Sequence, residues 1–309
     1  MIPIVSTLVA LIALGFVVTR KGPAWKLRWQ FVRAFRAGRK FYATYPHIAK
    51  DIAYGDRPRQ KLDVYWPPSG ERLPVMLFVH GGSWSWGDKT LYPLVAAHYA
   101  PHGFVVVVIN YSHYPHVTFP TFVEDAAAAI AWVVRHIDAY HGDPDRLVAS
   151  GHSAGGHILS LIALDERYLA AHGLTRDVLR GLIAISAPTD LGLLVQHLQA
   201  NLTAASAEVL IAIMGGSDRL PQADPIHLAR RDAPPIQIVH GVEDTLVPIE
   251  VARRFAAALK AAGAPVELLE YERADHYSIL LDGARPRSKR PTRLLLDSVE
   301  FMQRVTQQL

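Results

Sequence analysis

The sequence has no cysteine among its 309 residues. This excludes a disulfide, a thiolate metal site and a thiol nucleophile. The 15 histidines also lack metal-ligand spacing: His152 and His157 stand five residues apart, and His113 and His116 lie in a Pro-bounded loop. The sequence therefore predicts no metal site and implies no cofactor.

Acidic residues are absent from the first 50 positions, which carry nine Lys and Arg residues. The rest of the chain carries 23 Lys and Arg residues and 28 Asp and Glu residues. The net charge of +4 thus combines a basic N-terminal arm with a mildly acidic body. Because the body has no basic stripe suited to a phosphate backbone, no nucleic-acid partner is predicted.

Residues 2–18 are uncharged and mostly apolar. As a helix they would span roughly 25 Å, at the short end for crossing a bilayer. We interpret residues 1–19 as a hydrophobic helix that anchors the protein in a membrane, with packing against the protein's own body as the alternative. Since Lys and Arg follow the apolar run and none precedes it, the positive-inside rule predicts a membrane-associated protein with a cytoplasmic catalytic domain.

Residues 20–50 form the basic arm. On a helical wheel Leu27, Phe31 and Phe35 gather on one side, and most of the basic residues gather opposite. This pattern is typical of a helix on an anionic lipid surface, so residues 2–42 are predicted to contact lipid. An alternative is a lid over an active site. The catalytic domain is predicted to span residues 51–309.

Apolar strand-like runs alternate with helical patterns along the body. The predicted helices include residues 92–99, 122–140, 249–262 and 292–308. This alternation predicts an α/β fold with a mostly parallel central sheet and helices on both faces. The predicted strands are residues 61–66, 75–80, 104–110, 146–150, 181–187, 236–240 and 266–271.

The sequence Gly-His-Ser-Ala-Gly at positions 151–155 lies between a predicted strand and a predicted helix. In that context Gly-x-Ser-x-Gly is the sharp turn on which a nucleophilic serine stands free. Glycine suits the two outer positions because a Cβ would crowd the turn. We therefore predict that Ser153 is a nucleophile. On its own, the pentapeptide is a weak signal, and the alternative is the start of a small-residue helix packed closely on a sheet.

An activated serine needs a base, and the base needs an orienting acid. His276 follows the last predicted strand and is the expected base, and Asp244 follows the strand before it and is the expected acid. Glu243 and Asp218 are alternatives for the acid. Asp244 is preferred because its loop comes directly after a predicted strand, at the edge where the carboxyl ends of parallel strands meet.

The sequence His-Gly-Gly-Ser-Trp at positions 80–84 follows another predicted strand. The backbone N–H groups of Gly82 and Ser83, with that of Ala154, are expected to form an oxyanion hole. His80 is expected to orient this loop. Four aromatic residues in nearby loops are candidates for either an acyl pocket or the core: Trp84, Trp86, Tyr111 and Tyr114. Of these, Trp84 and Tyr111 are predicted to bind substrate.

Together these motifs resemble the α/β-hydrolase fold, in the esterase branch marked by His-Gly-Gly. Roughly residues 60–309 carry the resemblance, and the order Ser153, Asp244, His276 agrees with it. The form His-Gly-Gly-x-Trp is more similar to the feruloyl-esterase-like, kynurenine formamidase and prenylcysteine methylesterase relatives than to the hormone-sensitive-lipase group, which has a third glycine where Ser83 stands.

The resemblance implies a serine hydrolase that cleaves a small-molecule carboxylic ester through an acyl-enzyme intermediate. An amidase of the arylformamidase type would use the same residues with a different leaving group. A third possibility is a non-catalytic hydrolase-fold protein that binds a ligand or partner at a membrane.

Overall fold

The computed structural model describes residues 38–281 and 293–307. This part of the chain contains one sheet of eight strands, in the spatial order β1-β2-β4-β3-β5-β6-β7-β8. The strands are β1 (Ile48–Ala53), β2 (Lys61–Tyr65), β3 (Leu73–Val79), β4 (Val105–Ile109), β5 (Gly142–His152), β6 (Leu179–Ile185), β7 (Ile236–Gly241) and β8 (Val266–Tyr271).

Strands β3 to β8 run parallel to one another, and β1 and β2 form an antiparallel edge beside β4. The seven predicted strands are present with small shifts of their ends. The sequence missed β1, whose residues are half-buried or exposed at the sheet edge and therefore show little apolar alternation. β1 begins within the segment that the sequence assigned to the arm.

Longer helices lie between the strands and after the last one. These are α1 (Pro93–Tyr99), α2 (Thr121–His136), α3 (Ala154–Leu164), α4 (Leu191–Asn201), α5 (Ala204–Ile213), α6 (Ile249–Ala262) and α7 (Arg293–Thr306). The predicted mostly parallel sheet with helices on both faces is therefore confirmed.

The central strands are buried on both faces, because their alternate residues enter two different cores. On β3, Val75, Leu77 and Val79 pack toward α2, α3 and α6, whereas Met76 and Phe78 pack toward α1 and α7. This explains why the strands read as continuous apolar runs. Packing on both faces also holds the parallel strands in place, and their carboxyl ends all lie at one edge of the sheet.

The predicted membrane association is wrong for the part of the chain that the structure describes. Within residues 38–281 and 293–307, no helix has both the length and the apolar character needed to cross a bilayer. The apolar segment 2–18, on which the predictions of an anchor and of a cytoplasmic orientation depended, lies outside the described residues.

The end of the basic arm packs on the body. Residues 38–44 are helical, and Phe41 and Tyr42 contact the core on the α1 and α7 face. The Tyr45 hydroxyl donates to the Trp66 carbonyl at 2.9 Å, next to the end of β2, which pairs with the beginning of β4. Residues 45–47 therefore lie at the amino ends of the parallel strands, opposite the edge that carries Ser153. Residues 20–37 lie outside the described residues.

Candidate active site

Ser153 stands at the turn between β5 and α3 in a backbone conformation that is unusual for a residue with a side chain, with φ of 52° and ψ of −123°. The turn is held by a hydrogen bond from Ser153 N to the Ile185 carbonyl at 2.8 Å and one from His157 N to the Ser153 carbonyl at 3.1 Å. Strain of this kind persists only where neighbouring structure enforces it, and it is concentrated at functional sites.

The glycines of the motif are required by close backbone contacts. A Cβ at Gly155 would lie 2.1 Å from the Val79 carbonyl oxygen, and a Cβ at Gly151 would lie 2.5 Å from the Gly155 carbonyl carbon. No side chain fits at such distances. The structure therefore has the strand-turn-helix context that the sequence predicted for this motif.

His276 and Asp244 form a hydrogen-bonded pair. His276 Nδ1 lies 2.8 Å from Asp244 Oδ2. Since an ionised carboxylate only accepts hydrogen bonds, Nδ1 carries the proton, and Nε2 keeps the lone pair that a general base needs. The two residues reach this contact from the loops after β7 and β8, as predicted. The rival acids, Glu243 and Asp218, are both exposed.

The Asp244 side chain is completely buried yet well supplied with donors. Its Oδ1 accepts from the backbone N–H groups of Leu246 at 3.0 Å and Val247 at 2.9 Å. Its Oδ2 also lies 3.4 Å from His240 Nε2. Burial alone would raise the pKa of Asp244, but the charge and hydrogen bond of His276 and the hydrogen bond of His240 outweigh burial and hold this pKa well below its usual range.

The loop after β3 lies directly against the Ser153 turn. A Cβ at Gly81 would lie 3.0 Å from the Ser153 Cβ. Gly82, Ser83 and Trp84 all have positive φ, at 125°, 49° and 54°. Among the hydrogen bonds of the described residues, none uses the N–H of Gly82, Ser83 or Ala154 as its donor. These are the three N–H groups expected to bind an oxyanion.

His80 supports this loop from its buried side. It is fully buried, its Nδ1 lies 2.7 Å from the Gly81 carbonyl oxygen, and its ring stacks on Tyr111 at 4.7 Å and on Tyr92 at 5.6 Å. Burial lowers the pKa of His80 to about 4. The ring is therefore neutral at neutral pH, which agrees with an orienting role.

Trp84 and Tyr111 are 4% and 0% exposed. Trp84 packs edge-on against His157, with ring centroids 5.0 Å apart. The Tyr111 hydroxyl donates to the His80 carbonyl at 3.1 Å. The side chains of Trp84 and Tyr111 therefore both lie on the buried side of the loop. Contact of either side chain with substrate stays a prediction. Trp86 on the same loop is 40% exposed.

Two buried histidines join the site in ways that the sequence did not reveal. His240 Nε2 lies 2.8 Å from the Val247 carbonyl oxygen, beside Asp244. His152 Nε2 lies 2.8 Å from the His276 carbonyl oxygen. The partner of His152 lies 124 positions along the chain, so no local pattern indicates it. The partners of His240 are close in sequence, but only the turn after β7 brings its ring beside Asp244.

Comparisons with known proteins identify the family of this chain. The family described as BD-FAE matches residues 62–259. The chain is 30% identical over 253 residues to a protein of Oryza sativa subsp. japonica named probable isoprenylcysteine alpha-carbonyl methylesterase ICME. It is 31% identical over 258 residues to the probable carboxylic ester hydrolase LipM of Mycobacterium tuberculosis. These alignments cover 78% and 80% of this chain and 61% and 59% of the relatives, so the chain spans about three fifths of their length.

Solved structures show the same architecture. The propionate-bound esterase Est2 of Thermogutta terrifontis is 26% identical, with a TM-score of 0.68 over 85% of this chain and 96% of that one. Esterase B of Lactobacillus rhamnosis has a TM-score of 0.73 over 92% of this chain and 95% of that one, and at 18% identity it supports the fold alone.

These findings confirm the resemblance stated from the motifs, and they place the chain among proteins named carboxylic ester hydrolases. The matched family region begins within β2 and ends within α6. The chain belongs to the BD-FAE family and has the α/β-hydrolase fold of its esterase relatives.

Proposed function

We propose that this chain is a serine hydrolase that cleaves a small-molecule carboxylic ester through an acyl-enzyme intermediate. The observation that carries the proposal is the 2.8 Å contact of His276 Nδ1 with Asp244 Oδ2 beside a serine on a strained turn. A nucleophile, a base in the correct tautomer and an ionised acid are the parts that acyl transfer needs.

In the first half of the reaction, Ser153 Oγ attacks the ester carbonyl carbon and His276 Nε2 takes the serine proton. Asp244 stabilises the imidazolium that forms, because its carboxylate is held ionised by the N–H groups of Leu246, Val247 and His276. The N–H groups of Gly82, Ser83 and Ala154 donate to the developing oxyanion. His276 then returns the proton to the alkoxide, and the alcohol leaves. Water attacks the acyl-enzyme by the same route.

Three supports are independent of one another: the tautomer of His276, the unpaired N–H groups of the Gly82 loop and the esterase names of the relatives. Est2 has been solved with propionate and with butyrate bound. We therefore expect short acyl groups to be preferred.

The experiment measures hydrolysis of p-nitrophenyl esters from acetyl to palmitoyl by the full chain, with Ser153→Ala in parallel. We expect kcat/KM to be highest for acetyl to butyryl esters. In the variant, kcat should fall on the order of 10⁴- to 10⁶-fold. Turnover that persists in Ser153→Ala would overturn the serine mechanism. If the parent cleaves formanilides but no ester, the function is that of an amidase.

A second variant tests the oxyanion hole. Gly82 has φ of 125°, and a Cβ there would lie 2.1 Å from the Trp86 carbonyl oxygen. Gly82→Ala should therefore displace the loop and lower kcat by about 10²- to 10³-fold, the usual cost of one lost donor. Gly173→Ala is the matched control, because Gly173 also has a positive φ, 71°, with nothing within 4 Å. Equal losses in both variants would argue against an oxyanion role for the loop.

A further inference from the structure

His152, the residue directly before Ser153, is buried and bonds to the backbone of the residue proposed as the base. Its Nε2 lies 2.8 Å from the His276 carbonyl oxygen. A carbonyl oxygen only accepts, so the proton is on His152 Nε2. The two imidazole rings also pack together, with centroids 4.8 Å apart and planes inclined by 49°.

The same ring touches the Gly82 loop. A Cβ at Gly81 would lie 2.9 Å from His152 Nδ1. Within the described residues, Nδ1 has no hydrogen-bond partner. The ring of His152 therefore meets three segments at one point: the turn that carries Ser153, the loop that carries His276 and the loop that carries the proposed oxyanion donors.

His152 also stays uncharged. Burial, with a smaller contribution from neighbouring His276, lowers the pKa of His152 to about 3. A second cation beside His276 would oppose formation of the imidazolium during the reaction. A neutral ring supplies the hydrogen bond without that repulsion.

We propose that His152 is a positioning residue for His276: its Nε2–H bond to the His276 carbonyl fixes the base relative to the serine that follows His152 in the chain. This inference rests on the proposed function. Without the bond, His276 is held to Asp244 through its ring and by the turn in which Asp275 Oδ1 accepts from the backbone N–H groups of Tyr277 and Ser278. Neither contact links the base directly to the Ser153 turn.

The test compares His152→Phe, which keeps a ring but loses the donor, with His152→Gln, whose amide nitrogen falls near the position of Nε2. We expect His152→Phe to lower kcat about tenfold, the effect of one hydrogen bond, with KM within about twofold. Labelling of Ser153 by a fluorophosphonate should slow by the same factor. His152→Gln should recover kcat to within about threefold of the parent.

His157→Phe is the matched control. His157 is fully buried on α3, the helix that follows Ser153; its Nε2 lies 2.7 Å from the Ala223 carbonyl oxygen, and burial lowers its pKa to about 4. The control should lose stability without a selective fall in kcat. An equal fall in kcat in both Phe variants would overturn the positioning role.

The outcomes separate the two proposals. If His152→Phe keeps its kcat while Ser153→Ala is inactive, the positioning role is wrong and the proposed function stands. If Ser153→Ala is as active as the parent, the proposed function itself fails. If His152→Phe does not fold, comparison of His152→Gln with His152→Asn provides the same test, because only the longer glutamine amide reaches the His276 carbonyl. Equal kcat values in these two variants would overturn the positioning role of His152.

Discussion

Asp63 and Asp244 both carry completely buried carboxylates, and the surroundings of the two differ. Asp63 on β2 accepts from Lys89 Nζ at 2.7 Å and from Asp51 N at 2.9 Å through Oδ1, while Oδ2 has no partner in the described residues. Asp244, after β7, has donors at both oxygens. Burial raises the pKa of Asp63 despite the Lys89 bond, whereas the pKa of Asp244 is lowered.

The difference shows how a buried carboxylate stays ionised without a permanent cation. Asp63 relies on the buried ammonium of Lys89, which is a permanent cation. Asp244 relies on two backbone N–H groups and the imidazole of His276, with His240 Nε2 at 3.4 Å. Its imidazole partner can therefore gain and lose a proton while the carboxylate keeps its charge. The first arrangement is structural, and the second suits catalysis.

The largest expected effect is on activity. Asp244→Asn should lower kcat by about 10⁴-fold, because an amide favours the wrong tautomer of the base. Asp63→Asn, the matched control at the other carboxylate, should leave kcat of the folded protein within about twofold. Both are measured with the p-nitrophenyl ester that the parent prefers. Similar losses of kcat at the two positions would show that the difference between the two carboxylates is unrelated to catalysis.

The next effect is on stability. Lys89→Met removes the cation and leaves Asp63 buried without compensation, which should lower the free energy of unfolding by about 3–5 kcal/mol. Chemical denaturation measures this loss, and kcat of the folded fraction should not change. Asp51→Asn is the control: Asp51 lies 2.7 Å from Lys89 Nζ but its side chain is 72% exposed, so the cost should be about 0–1 kcal/mol. A Lys89→Met loss no larger than this would contradict the structural reading.

The smallest expected effect is on how stability depends on pH, and it should have opposite signs at the two carboxylates. The folded pKa of Asp63 is raised, so the parent should gain stability relative to Asp63→Asn as the pH falls from 7 toward about 4. The folded pKa of Asp244 is lowered, so the parent should lose stability relative to Asp244→Asn as the pH falls below about 4. Each slope is at most about 1.4 kcal/mol per pH unit. Denaturation curves measured across this pH range give both slopes. Slopes of the same sign would refute the opposite pKa shifts assigned to Asp63 and Asp244.

Much of the fold could be read from local patterns. The central strands are continuous apolar runs because both of their faces are buried, and the helices carry one apolar side. The edge strand β1 could not be found this way, since its residues are half-buried or exposed. For the site, the loops after β3, β5, β7 and β8 pointed to Ser153, Asp244, His276 and the glycine turn, because parallel strands bring their carboxyl ends to one edge.

The sequence by itself determined where the chain turns and which candidate site residues each turn carries. Gly151 and Gly155 are needed by contacts within a few residues of Ser153 or with the adjoining strand, and such constraints leave a local signature. The tertiary structure alone decided the partners. His152 meets a carbonyl 124 positions away, and Asp63 meets Lys89 across 26 positions. A hydrogen bond between distant segments depends on the register and packing of whole elements, and no short stretch of sequence encodes that.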